Sequence, residues 1–178
     1  MASGFGRRFG GNKLLTQVEG VSLAQRAMET LAAAGLDRVA VASQYPSVLE
    51  LAPQFRFLPL YNRDAAEGIS AGIRLGLTAM EGMDGVLFSV CDQPWLTPQS
   101  VQRLLDAFRA APQSICALSW QGRRGNPAVF PSALIPALAA LTGDTGGGAV
   151  IRQHPELLRL VEAHTPQELR DIDTQADL

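Results

Sequence analysis

The sequence predicts an α/β fold in which helices cover both faces of an open, mostly parallel sheet. Apolar runs of strand length alternate with stretches of helical periodicity along the whole chain, which is typical of strands joined by crossover helices. Asp84–Val90 (DGVLFSV) is almost continuously apolar, as expected for a strand that is buried on both faces. The length of 178 residues, without an internal repeat, favours one domain over residues 1–178.

Two of the predicted helices have clear start signals. Ser22 and Gln25 have the spacing of a capping box, and Thr97 and Pro98 suit the N-cap and the first position of a helix. The predicted helices span Val21–Gly35, Val48–Ala52, Ala65–Met80, Thr97–Ala111 and Ser132–Leu141, and another begins near Ala149. Within Ala65–Met80, the spacing of Gly72 and Gly76 predicts close packing against a neighbouring backbone.

The predicted strands are short and rich in β-branched and aromatic residues. They are expected at Arg38–Ala42, Phe55–Leu60, Asp84–Val90, Ser114–Trp120, Ala128–Phe130 and Leu157–Val161, with a turn over Gln121–Pro127. Asp171–Leu178 is expected to form a short strand that turns into a helix capped by Thr174.

Composition narrows the classes of function. A net charge of −2 implies neither a general nucleic-acid surface nor a membrane surface. No apolar run reaches the length needed to span a bilayer, and the N-terminus has no apolar signal-peptide segment. Cys91 and Cys116 have neither a disulfide framework nor a metal spacing. They are expected to be free thiols in a reducing compartment, so we expect a cytoplasmic protein. His154 and His164 lie in polar segments and are interpreted as surface residues.

The first 13 residues, MASGFGRRFGGNK, are glycine-rich and locally basic. Their four glycines allow turns that can aim successive N–H groups at one anion. Lys13 is the only lysine among 15 cationic residues, which suggests that a compact ammonium is needed there. This segment is interpreted as a triphosphate loop, and a solvated basic N-terminus is the alternative.

Two common phosphate signatures are excluded. Phe9 stands where the dinucleotide fingerprint requires its third glycine, and Asn12 separates Gly11 from Lys13, which excludes a Walker loop. A glycine loop of this kind normally follows an apolar strand, but only Met1 precedes it. We therefore expect that the first strand of the domain is missing before residue 1, either because the sheet lacks it or because the true start lies upstream.

Carboxylates supply the candidate metal ligands. Asp92 directly follows the strongest predicted strand, at the sheet edge where ligands of open α/β sheets bind. A carboxylate in that position suits Mg²⁺, although an aspartate that closes a turn is an equal alternative. Asp171 and Asp173 form a second pair, for which helix entry before Thr174 is the alternative. If one metal-bound nucleotide lies between Lys13 and Asp92, the two residues share a cleft.

Several motifs resemble those of the molybdenum cofactor nucleotidyltransferases, most closely the molybdenum cofactor cytidylyltransferase branch. The stretches that carry this resemblance are Ala2-Ser3-Gly4-x-Gly6-x-Arg8-Phe9-Gly10-x-x-Lys13, Asn62 with Gly68 and Ser70, Asp92-Gln93-Pro94, Gly125-Asn126-Pro127, Gly143-Asp144 and Asp171-Ile172-Asp173-Thr174. Two positions differ from the family's pattern: Asn126 stands in place of a histidine, and Gln175 in place of a proline.

The resemblance implies a Rossmann-like fold of the nucleotide-diphospho-sugar transferase type. It also implies transfer of CMP from CTP to the phosphate of molybdenum-molybdopterin, with release of pyrophosphate. The implied catalytic residues are Lys13, Arg8 and Asp92. The implied nucleotide-binding residues are Ala2, Ser3, Gly4, Gly6, Arg8, Lys13, Asn62, Gly68 and Ser70. Gly125, Asn126, Pro127 and Asp144 are implied to lie toward the pterin, and Asp92 and Asp173 to bind Mg²⁺.

Other functions remain open at this stage. Ser3 favours CTP, because the related guanylyltransferases carry glycine there, but GTP stays an alternative. The acceptor could be a sugar or alcohol phosphate. A third alternative is a carrier that delivers molybdenum cofactor to a molybdenum hydroxylase without catalysis.

Overall fold

Helices and strands alternate through residues 12–177, which are the residues that the computed structural model describes. The helices are α1 (Leu23–Ala33), α2 (Pro46–Leu49), α3 (Ile69–Thr78), α4 (Pro98–Ala110), α5 (Ile135–Ala139) and α6 (Gly148–Gln153). The strands are β1 (Gln17–Val18), β2 (Val21–Ser22), β3 (Ala40–Ser43), β4 (Leu58–Tyr61), β5 (Gly85–Phe88), β6 (Ile115–Trp120), β7 (Arg123–Pro131) and β8 (Leu158–Glu162). Short 3-10 turns, including Lys13–Leu15, Ala65–Glu67, Pro166–Leu169 and Gln175–Asp177, connect them.

The strands pair in both parallel and antiparallel directions. β3 and β4 form a parallel pair, and β5, β7, β6 and β8 form a sheet in that order. β6 and β8 are parallel, whereas β7 is antiparallel to both of its neighbours. A separate antiparallel pair, β1 and β2, leads into α1. The predicted α/β class is confirmed, with β7 as the strand that makes the larger sheet mixed.

The predicted turn over Gln121–Pro127 is wrong. The turn is only Gln121 and Gly122, whose φ angles of 50° and 76° suit a two-residue hairpin. Arg123–Pro131 continues as one strand, and its pairing with β6 shifts register between Ala117 and Ser119. This irregularity accommodates Pro127, which has no N–H to donate to a regular ladder.

The helix starts follow the predicted caps. Ser22 Oγ accepts from the backbone N–H of Gln25 at 3.3 Å, and Thr97 Oγ1 accepts from that of Ser100 at 3.2 Å. The capping box at Ser22 is only half formed, because the amide of Gln25 donates instead to Glu29 Oε1 at 2.9 Å.

Two other element predictions need correction. The predicted helix Ala65–Met80 is broken at Gly68, whose φ of 101° is incompatible with a continuous helix. Asp171–Asp173 form no strand, and the tail ends in the turn Gln175–Asp177. The carboxylate of Asp177 accepts from the backbone N–H groups of Asp173 and Thr174 and from the Thr174 hydroxyl, so Asp177 and not Thr174 organises the tail.

Core residues on the larger sheet alternate between two helical layers. Ile115 and Ala117 of β6 pack in a cluster with residues of α3, α5 and α6, whereas Cys116 and Leu118 pack with residues of α4. Both faces are therefore buried, as predicted. Within residues 12–177, no helix is long and apolar enough to cross a bilayer.

Gly72 and Gly76 both line a cavity between β3 and β5. A Cβ added at Gly76 would lie more than 4 Å from any neighbouring heavy atom, so Gly76 does not serve the close packing that the spacing predicts. For Gly72, which is buried, close packing stays a prediction.

Candidate active site

Lys13 lies at the centre of a group of charged residues. Its Nζ donates to Asp92 Oδ2 at 2.7 Å, to the carbonyl oxygen of Ile172 at 3.1 Å, and to Asp173 Oδ1 at 3.4 Å. These contacts join positions 79 and 160 residues apart in the chain. Lys13 and Asp92 are thus in direct contact, as expected if the two residues serve one site.

The environment of Lys13 favours its charged form. The side chain is only 13% exposed, and burial of the ammonium lowers its pKa. Hydrogen bonds and charge attraction from Asp92, and more weakly from Asp173, outweigh that effect and raise the pKa of Lys13 above 10.5. The ammonium is therefore a permanent cation at neutral pH, available to an anionic ligand.

Asp92 has a carboxylate oxygen without a partner. Oδ2 accepts from Lys13, but Oδ1 is buried and has no hydrogen-bond partner in the described structure. An orphaned carboxylate oxygen suits a hard cation such as Mg²⁺, which takes one or two protein carboxylates together with phosphate oxygens. Asp173, whose side chain is 60% exposed, is the second carboxylate on the same ammonium. Among residues 12–177, no three acidic, His or Cys side chains form a metal site by themselves.

The segment that carries Asp171 and Asp173 is tied to the loop after β5. The backbone N–H of Ile172 donates to the Asp92 carbonyl oxygen at 2.9 Å, and Gln93 Nε2 donates to Asp171 Oδ1, also at 2.9 Å. Partial desolvation and the nearby charge of Asp92 raise the pKa of Asp171. Gln93, which is 4% exposed, was not among the predicted site residues, although its place in Asp92-Gln93-Pro94 is the signal that could have identified it.

Glu168 lies just before the segment that carries Asp171 and Asp173 and fixes it to the start of α4. Its Oε2 accepts from the backbone N–H and hydroxyl of Thr97, and its Oε1 accepts from the backbone N–H groups of His164 and Thr165. Glu168 is 1% exposed; burial opposes ionisation, but these hydrogen bonds and one from Ser100 outweigh it and lower the pKa of Glu168. The spacing Thr165-x-x-Glu168 is a capping-box signal that sequence analysis missed.

We name Lys13, Asp92, Gln93, Asp171 and Asp173 the Asp92 group.

A second group of predicted residues meets through the backbone. A Cβ at Gly68 would lie 2.5 Å from the carbonyl carbon of Gly143 and from Asp144 Oδ1, and Ser70 N donates to the Gly143 oxygen at 3.1 Å. Ser70 is fully buried, and its hydroxyl accepts from Arg74 at 3.2 Å. We name Gly68, Ser70, Gly143 and Asp144 the Gly68 group. The group brings Gly68 and Ser70, which are expected at the nucleotide, close to Asp144, which is expected toward the pterin.

The remaining predicted residues have separate positions. Asn62 is 3% exposed and donates its backbone N–H to the Ser43 oxygen at the end of β3. Gly125, Asn126 and Pro127 lie in β7, where a Cβ at Gly125 would come within 2.9 Å of Leu169. Ala2, Ser3, Gly4, Gly6 and Arg8 lie outside the described residues.

Comparison with known proteins identifies the family. The model of the MobA-like NTP transferase domain matches residues 1–157. The chain belongs to this MobA-like family of nucleotidyltransferases. A relative among curated proteins, the nicotine blue oxidoreductase of Paenarthrobacter nicotinovorans, is 30% identical over 98% of this chain and 90% of its own length.

Solved structures share the fold of this MobA-like chain. Rv0371c from Mycobacterium tuberculosis H37Rv is 21% identical, with a TM-score of 0.80 over 99% of this chain and 92% of that chain. Another structure of that protein is a complex with manganese, with a TM-score of 0.75 and 18% identity over 90% of this chain and 84% of that chain. Molybdopterin-guanine dinucleotide biosynthesis protein A from Archaeoglobus fulgidus has a TM-score of 0.74 at 14% identity, over 99% and 91% of the two chains.

Proposed function

We propose that this protein transfers CMP from CTP to the phosphate of molybdenum-molybdopterin and releases pyrophosphate, with Mg²⁺ as its cofactor. The observation that carries the proposal is the environment of the Asp92 carboxylate. Its Oδ2 accepts from the Lys13 ammonium, and its Oδ1 is buried without a hydrogen-bond partner in the described structure. Membership of the MobA-like family supports the reaction class, and the resemblance of the N-terminal loop supports CTP and the pterin acceptor.

The reaction requires two anionic groups to meet. An oxygen of the acceptor phosphate forms a bond to the α-phosphorus of CTP, while the bond from that phosphorus to the bridging oxygen breaks and pyrophosphate leaves. Catalysis of such an in-line transfer depends mainly on position and on charge neutralisation. Asp92 and Asp173 would hold Mg²⁺, which would neutralise charge on the triphosphate when bound.

The described residues supply the remaining requirements. Lys13, kept protonated by Asp92, would donate to a phosphate oxygen by exchanging its longest protein contact, the 3.4 Å hydrogen bond to Asp173 Oδ1. Asp173, whose side chain is 60% exposed, faces the solvent from which a nucleotide would enter. Gln93 donates a hydrogen bond to Asp171 and so helps to position the neighbouring Asp173 beside Lys13.

The test is pyrophosphate release in the presence of Mg²⁺ and molybdopterin, with CTP or GTP as the donor. We expect release that depends on both the acceptor and the metal and is faster with CTP. Faster release with GTP would contradict the choice of base, and release with a sugar phosphate but not with molybdopterin would contradict the acceptor. Delivery of intact cofactor to a molybdenum hydroxylase without pyrophosphate release would support the carrier alternative.

A second candidate rests on the 30% identity to an oxidoreductase. If this protein shares the activity named for that relative, it changes the oxidation state of its substrate and releases no pyrophosphate. The two candidates are separated by following pyrophosphate and the substrate's absorption spectrum in the same reaction.

A further inference from the structure

Two arginine side chains converge on Gly148, at the start of α6. A Cβ added at Gly148 would lie 3.2 Å from Nη2 of Arg124 and 3.7 Å from Nη1 of Arg152. Beyond the local backbone, no other atom of the described residues would come within 4 Å of that Cβ. Arg124 belongs to β7, whereas Arg152 belongs to α6 itself. The two guanidinium groups therefore approach the same point from two different elements.

Neither guanidinium group is compensated within the described part of the chain. Both arginines are exposed, and neither forms a hydrogen bond or an ion pair with another described residue. Arg26 and Arg74, by comparison, each pair with a glutamate. Water screens the repulsion between the two cations. An anion that binds between Arg124 and Arg152 therefore gains two cationic partners without breaking an ion pair between the described residues.

The backbone does not explain why residue 148 is a glycine. Gly148 is not among the glycines with positive φ, and glycine loses more conformational freedom on folding than any other residue. Gly147 is required by packing, because a Cβ there would lie 2.7 Å from the ring of Phe130. At Gly148, the atoms that an added side chain would displace are the guanidinium nitrogens of the two arginines. The glycine therefore keeps the space between Arg124 and Arg152 free.

We propose that Arg124 and Arg152 form a binding site for a phosphate group carried by an organic molecule. A guanidinium group is planar and always charged, and its paired N–H donors match two oxygens of one phosphate. Two such groups that approach one point from different elements can bind a phosphate from two sides. The identification of the organic molecule as the acceptor of the nucleotide rests on the proposed function.

The position of the pair in the chain supports that identification. Arg124 directly precedes Gly125, where an added Cβ would lie 2.9 Å from Leu169, just before the segment of the Asp92 group. Gly148 ends the glycine-rich stretch that begins with Gly143 of the Gly68 group. The two arginines thus adjoin the segments that carry both groups.

The surface next to the arginines is apolar and free of large side chains. Ile69 is 47% exposed, and its Cγ2 would lie 3.6 Å from a Cβ at Gly146. From Gly146 to Gly148 the chain presents only backbone, so this surface leads from Ile69 to the two arginines. Free inorganic phosphate would use the arginines alone, whereas an organic phosphate with a planar or apolar body would also contact Ile69.

The first test is calorimetric titration with inorganic phosphate, in the absence of CTP and metal. We expect Arg124→Ala and Arg152→Ala each to weaken phosphate binding by about tenfold or more, the scale of one charge-assisted hydrogen bond. Arg123→Ala is the matched control, because Arg123 is an exposed neighbour in β7 whose side chain alternates to the other face of the strand. A wild type that binds no phosphate, or equal binding by the wild type and the double variant, would overturn the proposal.

A carboxylate attached at Gly148 gives an independent test. Gly148→Glu would bring an anion to both guanidinium groups, and Gly148→Gln is the neutral control of the same size. We expect Gly148→Glu to have the higher thermal midpoint and the weaker binding of inorganic phosphate. Because the helix dipole also favours glutamate at a helix start, both substitutions are repeated with Arg124→Ala and Arg152→Ala present. A gain in midpoint that is equal in both backgrounds would contradict the proposal.

Kinetics separates this proposal from the proposed function. With CTP, Mg²⁺ and molybdopterin, the double arginine variant should raise KM for molybdopterin by about tenfold or more and leave KM for CTP unchanged. Ile69→Ala should raise KM for molybdopterin without changing the affinity for inorganic phosphate. If pyrophosphate is released but neither KM changes in the double variant, the arginine site is wrong and the proposed function stands. If the wild type releases no pyrophosphate but phosphate binding requires both arginines, the proposed function fails and the arginine site stands.

Discussion

The Asp92 group is held together by charged and polar side chains, whereas the Gly68 group is held together by backbone. Lys13 reaches two carboxylates and a carbonyl oxygen through a single ammonium. Gly68 instead brings its own main chain against Gly143, at a distance that excludes a Cβ. A substitution at Asp92 or Asp173 therefore removes chemistry and leaves the chain path in place, whereas one at Gly68 displaces the chain path itself.

The largest expected effect is on turnover, from Asp92→Asn. The neutral amide keeps the size of the side chain but weakens its hold on Lys13 and on a cation, so we expect kcat to fall by about 100-fold or more, the scale found when one preorganised electrostatic contact is removed. The control is Asp106→Asn, because Asp106 is exposed and pairs with Arg109 on α4. If Asp92→Asn retains turnover with an unchanged metal requirement, the assignment of chemistry to the Asp92 group is wrong.

Gly68→Ala has the largest expected effect on stability. The backbone at Gly68 has φ 101° and ψ −167°, a region that is essentially restricted to glycine, and the added methyl group meets Gly143. Strain and overpacking together should lower the free energy of unfolding by about 2–4 kcal/mol, measured by urea denaturation. Gly82→Ala is the matched control, since Gly82 also has positive φ (81°) but open space around it. Equal losses for the two variants would mean that the approach to Gly143 is unimportant.

Glu168→Gln tests the anchor beneath the Asp92 group. Each oxygen of Glu168 accepts from two donors, so the NH₂ of glutamine must face donors that it cannot satisfy. We expect a loss of about 1–3 kcal/mol in the free energy of unfolding at pH 7, with the exposed Glu81→Gln as control.

The pH dependence of this loss follows from the lowered pKa of Glu168. The ionised carboxylate stabilises the fold above its unfolded-state pKa near 4.5, and this contribution disappears as pH falls through the lower folded-state pKa. The difference between wild type and Glu168→Gln should therefore shrink between pH 7 and pH 3. A difference that does not change with pH would show that shape alone, without charge, accounts for the role of Glu168.

Sequence reasoning works where local rules carry the information. The meeting of Lys13 and Asp92 follows from the rule that loops gather at the carboxyl ends of strands, and the caps at Ser22 and Thr97 follow from residue type. Local rules do not predict the course of β7. Gly125-Asn126-Pro127 has the composition of a turn, but it lies within the strand, opposite the register shift of β6. Glu168 is recognisable as a local cap, yet its bonds to Thr97, 71 residues away, depend on tertiary packing.

Asp171→Asn has the smallest expected effect, and this effect distinguishes Asp171 from Asp173. Its pKa is raised by partial desolvation and by Asp92, so the protonated carboxyl favours the fold below pH 3.8, and this contribution is lost as pH rises through the folded-state pKa. Asp171→Asn cannot ionise and keeps an oxygen for Gln93 Nε2. We expect a small rise in thermal midpoint at pH 7 that disappears below pH 3.8, with turnover maintained.

Asp173→Asn is the matched variant. Asp173 contacts Lys13, whereas Asp171 accepts from Gln93, so the Asp173 change should lower turnover and weaken metal activation without raising the thermal midpoint. The opposite pattern, in which Asp171→Asn loses metal activation and Asp173→Asn does not, would move the second metal ligand to Asp171. In that case Gln93 would orient a ligand directly, and the Asp92 group would bind its cation at the Gln93 side of Asp92.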